Sequence, residues 1–183
     1  MKKLLMFAFA SALSLTSISA MAASNPTVGG AAMLPSKNIV ENAMNSHDHT
    51  TLVAALKAAG LVETLQSAGP FTVFAPTNEA FAKLPAGTVD TLLKPENKDQ
   101  LVKILTYHVV PGRVTAADLK KQIENGKGKA QLKTVQGEVL TASMQGKSII
   151  LTDEKGDTSK VTIGNVMQSN GVIHVIDAVM MPK

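Results

Sequence analysis

The chain contains no cysteine and no tryptophan, and its 183 residues include only one tyrosine and five phenylalanines. Without cysteine the protein has no disulfides, no thiolate metal site and no lipid anchor of the kind carried by an N-terminal cysteine. The scarcity of aromatic rings argues against nucleic-acid binding, which usually combines basic clusters with rings that stack on bases. A chain of this length buries enough apolar surface to fold without such cross-links.

The sequence also lacks the motifs that announce a familiar chemistry. It contains no G-x-S-x-G, no H-E-x-x-H, no phosphate-binding loop and no dinucleotide-binding fingerprint. We therefore expect a protein that is not an enzyme, with no catalytic residues and no cofactor. No pattern in the sequence specifies an oligomeric state.

The first 22 residues have the pattern of a secretory signal peptide. Lys2 and Lys3 form a short positive segment, residues 4–15 are apolar, and Ala20 and Ala22 provide an A-x-A cleavage pattern. The apolar segment is shorter than the ~20 residues that cross a bilayer, and no later apolar run reaches that length. We expect residues 1–22 to be removed during export to the periplasm or the extracellular space, and the remaining chain to have no membrane span.

The rest of the chain changes its period near its middle. Residues 23–36 contain proline, glycine and small side chains without periodicity, which predicts a flexible lead-in. Residues 37–183 are expected to form a single domain. Its first half shows helical spacing, with Ser36 as the expected cap of the first helix, and its second half shows strand-length segments separated by glycine turns, which favour antiparallel pairing.

Three stretches carry a resemblance to a known family. They are "GPFTVFAPTNEAF" (Gly69 to Phe81), "YHVVPGRVTAADL" (Tyr107 to Leu119) and "NGVIHVIDAVMMP" (Asn170 to Pro182). Together and in this order they resemble the fasciclin (FAS1) domain family, in particular its stand-alone, secreted bacterial members. The resemblance implies an α+β fold, a β-sandwich or wedge of about seven strands with a layer of short helices, helix-rich in the first half and a β-meander in the second.

The resemblance also implies a function and a binding segment. It indicates a secreted, non-enzymatic adhesion or interaction module whose partner is a cell-surface or matrix protein or a polysaccharide. Helix packing predicts that Tyr107 and His108 are at least half buried and hydrogen-bonded within the domain. In animal members, the segment around this Tyr-His pair and an Asp-Ile pair before the last block are associated with integrin adhesion. Here the latter position reads Asn165, Val166 and Met167, and an amide oxygen is a weaker cation ligand than a carboxylate.

Four polar residues within the resembling blocks are expected to be structural. His174 and Asp177 interrupt an apolar run, and side chains three positions apart on a strand lie on opposite faces, so they cannot form a catalytic pair unless a bulge intervenes. A buried imidazole is then neutral and hydrogen-bonded, and a buried carboxylate accepts several donors, for which the backbone of the first block is a candidate. Thr77 is expected to cap a short helix that begins at Asn78.

The segment His47, Asp48 and His49 supports an alternative interpretation. Two imidazoles and a carboxylate are ligands that divalent metals accept. The spacing makes a poor chelate, and a polar helix start is the simpler interpretation. The alternative is nevertheless a periplasmic protein that binds a metal through these residues, or a small ligand there or in a pocket beside Tyr107.

Overall fold

A computed structural model describes residues 25–183, and the expected signal peptide lies outside the described residues. The helices are α1 (Ile39–Asn45), α2 (Thr50–Ala59), α3 (Val62–Gln66), α4 (Asn78–Ala82), α5 (Thr88–Leu92), α6 (Lys98–Tyr107) and α7 (Ala116–Asn125), with 3-10 turns at His47–His49 and Pro95–Asn97. The strands are β1 (Thr27–Val28), β2 (Ala31–Ala32), β3 (Phe71–Pro76), β4 (Val109–Pro111), β5 (Lys129–Lys133), β6 (Val139–Gln145), β7 (Ser148–Thr152), β8 (Thr158–Gln168) and β9 (Gly171–Ile176). Within residues 25–183, no helix is long and apolar enough to cross a membrane.

Seven strands form one mixed sheet in the order β4-β3-β9-β8-β7-β6-β5. The strands from β5 to β9 form an antiparallel meander, as their glycine turns predict. Strand β9 then pairs in parallel with β3, so the last block of the chain lies beside the first. The sheet curls until its two edges approach, where the N–H of Val135 donates to the carbonyl of Val109 at 2.8 Å. The predicted α+β fold with seven strands and short helices is confirmed.

The curl creates one apolar cluster inside the sheet and a second beneath the helices. Phe74 and Ile176 lie in the inner cluster with Leu119 of α7 and the apolar side of β5 to β7. Val73 and Val175 lie in the other cluster, against α1, α2 and α6. Strands β3 and β9 are therefore covered on both faces, which explains why their sequences are apolar at successive positions.

The segment before α1 packs against the protein, whereas its composition indicated a flexible lead-in. Val28 and Met33 are buried in the cluster beneath the helices. The side chain of Asn25 pairs with the backbone of Met167, accepting from its N–H at 2.9 Å and donating to its carbonyl at 2.6 Å. Gly29 and Gly30 form the turn of a tight hairpin between β1 and β2, and composition alone does not distinguish such a hairpin from a disordered tail.

The first helix begins two residues later than expected. Asn38, not Ser36, is the cap, and it forms a reciprocal pair with Glu41: the Asn38 side chain accepts from the Glu41 N–H, and the Glu41 carboxylate accepts from the Asn38 N–H. Because the pair satisfies two backbone N–H groups of the first turn, Asn38 is the better start signal.

Candidate functional site

Tyr107 and His108 lie where α6 ends and β4 begins, and both side chains are inside the protein. Tyr107 is fully buried and its hydroxyl donates to the carbonyl of Val139 at 3.1 Å. Burial raises the pKa of Tyr107 to about 12. The two rings meet edge to face with centroids 6.5 Å apart.

His108 makes two hydrogen bonds to the backbone. Its Nδ1 lies 2.9 Å from the carbonyl of Ile104, and its Nε2 accepts from the N–H of Met180 at 3.0 Å. The carbonyl partner requires the proton on Nδ1, which leaves Nε2 as the acceptor. Burial lowers the pKa of His108 to about 4, against the opposing effects of the Ile104 carbonyl and the Asp153 carboxylate.

The positions agree with the helix packing, which predicts buried and hydrogen-bonded side chains, whereas the binding role comes from the family resemblance alone. Tyr107 is 0% exposed and His108 is 2% exposed. The pair joins α6 to β6 and to the segment after β9.

The segment Asn165, Val166 and Met167 lies in β8 at an irregularity in its pairing with β9. Asn165 has a left-handed backbone with φ 59°, and its side-chain oxygen accepts from the N–H of Ala116 at 2.8 Å. Val166 is fully buried, and Met167 is half-buried with its backbone bonded to Asn25. Of the expected binding residues, only Asn165 and Met167 reach solvent, and the Asn165 oxygen already holds the start of α7.

His174 is buried in β9 and connects three elements. Its Nε2 donates to the carbonyl of Val114 at 2.8 Å, and its Nδ1 accepts a long bond of 3.4 Å from the N–H of Asn165. Its ring stacks on Phe74 with centroids 5.6 Å apart. Burial lowers the pKa of His174, opposed by the Val114 carbonyl, so the ring is neutral at pH 7.

Asp177 has different neighbours and lies past the end of β9. Its carboxylate accepts from the N–H of Lys160 at 2.8 Å and from the hydroxyl of Ser159 at 3.3 Å. We expected donors from the backbone of the first block, but the carboxylate is half-buried and turns toward β8 instead. His174 and Asp177 therefore share no hydrogen bond and no common partner.

Thr77 and Asn78 join the first block to the start of α2. The Thr77 hydroxyl accepts from the N–H of Ala80 at 3.2 Å and caps α4. The Asn78 side chain accepts from the N–H of Thr51 at 3.0 Å and donates to the carbonyl of His47 at 2.8 Å. Both side chains hold backbone groups that the helix ends would leave without partners.

His47, Asp48 and His49 form a 3-10 turn that separates their side chains. His47 and Asp48 are exposed, whereas His49 is buried with its Nδ1 2.9 Å from the Ser46 hydroxyl. Among residues 25–183, no three His, Cys, Asp or Glu side chains lie close enough to hold a metal ion. The metal alternative at this segment thus lacks the convergent ligands that it requires.

His49 instead borders an internal cavity of about 20 Å³. Its Nε2 is the one buried side-chain nitrogen or oxygen in the described part of the chain that makes no hydrogen bond. Burial lowers the pKa of His49, while the nearby Ala75 carbonyl and the Asp48 carboxylate oppose the shift. Sequence reasoning missed this cavity because Val28 and Met33, which close one side of it, belong to the supposed lead-in. The other apolar walls include Leu52, Leu56, Val73, Leu105, Val109, Val166 and Ile173.

Comparisons with known proteins agree on one family. The family model described as Fasciclin domain matches residues 47–182. Protein sll1483 of Synechocystis sp. is 52% identical over 157 residues, which cover 85% of this chain and 79% of the relative. The Immunogenic protein MPB70 of Mycobacterium bovis is 40% identical over 167 residues, covering 88% of this chain and 78% of that protein.

A solved structure shows the same fold. It is a FAS1 domain pair from the insect cell adhesion molecule Fasciclin I, with a TM-score of 0.54 and 21% sequence identity. The likeness covers 71% of this chain and 43% of that one.

Proposed function

This chain belongs to the fasciclin domain family, and from that premise we propose that it is an exported, non-enzymatic module that binds a cell-surface or matrix protein or a polysaccharide. The family is known from cell adhesion and extracellular proteins. The expected signal peptide over residues 1–22 supports export to the periplasm or beyond.

The proposal is supported by one observation: the potentially reactive side chains of the family blocks are hydrogen-bonded inside the protein. The imidazoles of His108 and His174 and the hydroxyl of Tyr107 are all buried and hydrogen-bonded to backbone groups. A general base must reach its substrate within hydrogen-bond distance, and these groups face the interior. The polar residues of the blocks thus support the fold, which leaves recognition to the exposed surfaces.

Binding of the full chain to surfaces tests the proposal. The processed, labelled protein should bind whole cells or envelope extract in a saturable manner, and heat-denatured protein should not. A strain that lacks the gene should lose adhesion or biofilm mass, and the wild-type gene should restore it. Equal binding by folded and denatured protein, together with an unchanged deletion strain, would contradict the proposal.

Export has its own test. N-terminal sequencing of the protein from the periplasm or the medium should begin at Ala23. Full-length protein retained in the cytoplasm would remove the basis for a role at the surface.

The cavity beside His49 favours a second candidate function, the binding of a small molecule. Its walls are apolar, and the free Nε2 atom supplies one polar group to orient a ligand. A cavity of about 20 Å³ holds roughly one water molecule, so a larger ligand would require the hairpin that carries Val28 to move. Native mass spectrometry and thermal shifts with envelope metabolites test this function. A shift in the wild type that His49→Phe abolishes would support it, and no bound species in either protein would rule it out.

A further inference from the structure

Strands β5 to β8 turn one side to the core and the other to solvent. Ala130 and Leu132 of β5 point into the inner cluster, and the alternate residues of the strand are exposed. We call the opposite side of these four strands the outer sheet face. It carries three lysines, Lys129, Lys133 and Lys160, and between them the hydroxyls of Thr141, Ser143 and Thr152.

The strand register fixes where these groups lie. Lys129 is opposite Ser143, Ser143 is opposite Ile150, and Ile150 is opposite Lys160. One row thus crosses the four strands, and at ~4.8 Å between strands it places the Lys129 and Lys160 backbones roughly 14 Å apart. Lys133 lies roughly 14 Å from Lys129 along the same strand, at ~3.4 Å per residue.

The three lysine ammonium groups and the hydroxyls of Thr141, Ser143 and Thr152 have no partners within residues 25–183. The ion pairs in that part of the chain join Lys103 to Glu138 and Lys183 to Glu154. No side-chain hydrogen bond within that range involves the ammonium groups of the three lysines or the hydroxyls of Thr141, Ser143 and Thr152. The strand positions of this face contain no Asp or Glu.

Several carboxylates near this face accept hydrogen bonds from backbone N–H groups. Glu154 accepts from the N–H of Val139 at 3.1 Å. Asp153 accepts from three backbone N–H groups, one of them that of Met181. Asp177 accepts from the backbone of Lys160, and its carboxylate makes no ion pair with that ammonium group within 4.0 Å. The outer sheet face therefore presents lysines and hydroxyls, and none of its three ammonium groups forms an ion pair with a carboxylate of residues 25–183.

From this arrangement we infer that the outer sheet face binds an acidic polysaccharide. The inference rests on the proposed function and names its partner. Uronate or sulfate groups pair with the lysines at the two borders, and sugar hydroxyls bond to the threonine and serine hydroxyls between them. The face carries no aromatic ring, so it lacks the platform on which bases stack. The outer sheet face can contact a partner through charges and hydroxyls, so its affinity for an acidic polysaccharide should fall as the salt concentration rises.

The test compares two triple variants of the full, processed chain. The first, Lys129→Gln/Lys133→Gln/Lys160→Gln, removes the charges of the face. The matched control, Lys57→Gln/Lys94→Gln/Lys98→Gln, removes the same charge from exposed positions on and near the helices. Binding to polygalacturonate is measured by biolayer interferometry between about 20 and about 500 mM salt, because the screening length of charged groups shortens strongly over this range. Dextran, a single-stranded DNA and polyglutamate serve as the other ligands.

We expect the wild type and the control to bind polygalacturonate with similar affinity and the face variant to bind about tenfold or more weakly, because three charge-assisted contacts are lost. Dextran should not bind. Equal weakening in both variants would overturn the inference in favour of net charge, and equal binding of DNA or polyglutamate would overturn the choice of a polysaccharide. Unchanged binding combined with aggregation of the face variant would assign the lysines to protection of the sheet edge instead.

The proposed function and this inference can fail separately. If the protein binds cells but not polygalacturonate, and the face variant still binds cells, the module has another partner and another face. If neither cells nor polygalacturonate bind, both are refuted.

Discussion

The buried imidazole of His108 makes a sharp prediction about stability and pH. Replacing it in His108→Gln removes the titrating group and keeps a polar side chain. His108 satisfies the Ile104 carbonyl at 2.9 Å and the Met180 N–H at 3.0 Å. A glutamine cannot occupy both ring positions, so we expect the variant to lose about 2 kcal/mol of unfolding free energy at pH 7.

Lowering the pH should reduce the stability advantage of the wild type over His108→Gln. Burial holds the pKa of His108 at about 4 in the folded protein, below the ordinary value of 6.5. Between these pH values the unfolded chain binds the proton and the folded protein does not, so stability falls as pH falls. The wild type should lose about 3 kcal/mol through this residue between pH 7 and pH 4. His108→Gln does not lose it, so the two stabilities should become equal at about pH 5, and below that pH the variant should be the more stable protein.

Urea unfolding followed by circular dichroism between pH 4 and pH 7 provides the measurement. The slope of free energy against pH should decrease in His108→Gln by up to about 1.4 kcal/mol per pH unit. His47→Gln is the matched control, because it removes an exposed imidazole and leaves the buried ones in place. Parallel curves for the wild type and His108→Gln would refute the reasoning. An NMR titration of the wild type gives an independent check, since protonation of the His108 ring near pH 6.5 would refute it even if the variant did not fold.

Substitutions at three further positions test a bond between distant segments, a helix cap and a left-handed backbone residue. Asn170→Ala should lose roughly 2–3 kcal/mol in urea unfolding, because the Asn170 side chain accepts from the Ile39 N–H and donates to the Leu65 carbonyl; a loss near zero would contradict this role. Thr115→Ala should cost about 1 kcal/mol by removing the cap of α7, and Thr115→Ser should recover most of it. Asn165→Ala should be less stable than Asn165→Gly by about 1 kcal/mol, because only glycine adopts the left-handed backbone without strain. Equal melting temperatures of Asn165→Ala and Asn165→Gly would show that the backbone at this position relaxes.

Part of the fold follows from local sequence. The glycine turns between the later strands predict the meander, and Thr115 and Thr77 cap the helices that follow them. The apolar positions around His174 predict a strand covered on both faces, which β9 is. The family resemblance, carried by three blocks in a fixed order, agrees with the match to the fasciclin domain model.

Other features depended on contacts between distant residues. The composition of residues 23–36 indicated flexibility, yet Val28 and Met33 complete the core and close the cavity beside His49. The carboxylate of Asp177 bonds to β8 instead of β3.

After residue 36, the sequence by itself determined the order and type of most elements, because turns, caps and side-chain periodicity depend on residues a few positions apart. The tertiary structure decided which polar groups form hydrogen bonds inside the protein and which stay exposed to a partner. That division depends on the parallel pairing of β3 with β9 and on the curl of the sheet, which bring together groups that no local pattern connects. Both Lys129 and His108 are polar in the sequence, but only the packed fold leaves the first exposed and commits the second to the core.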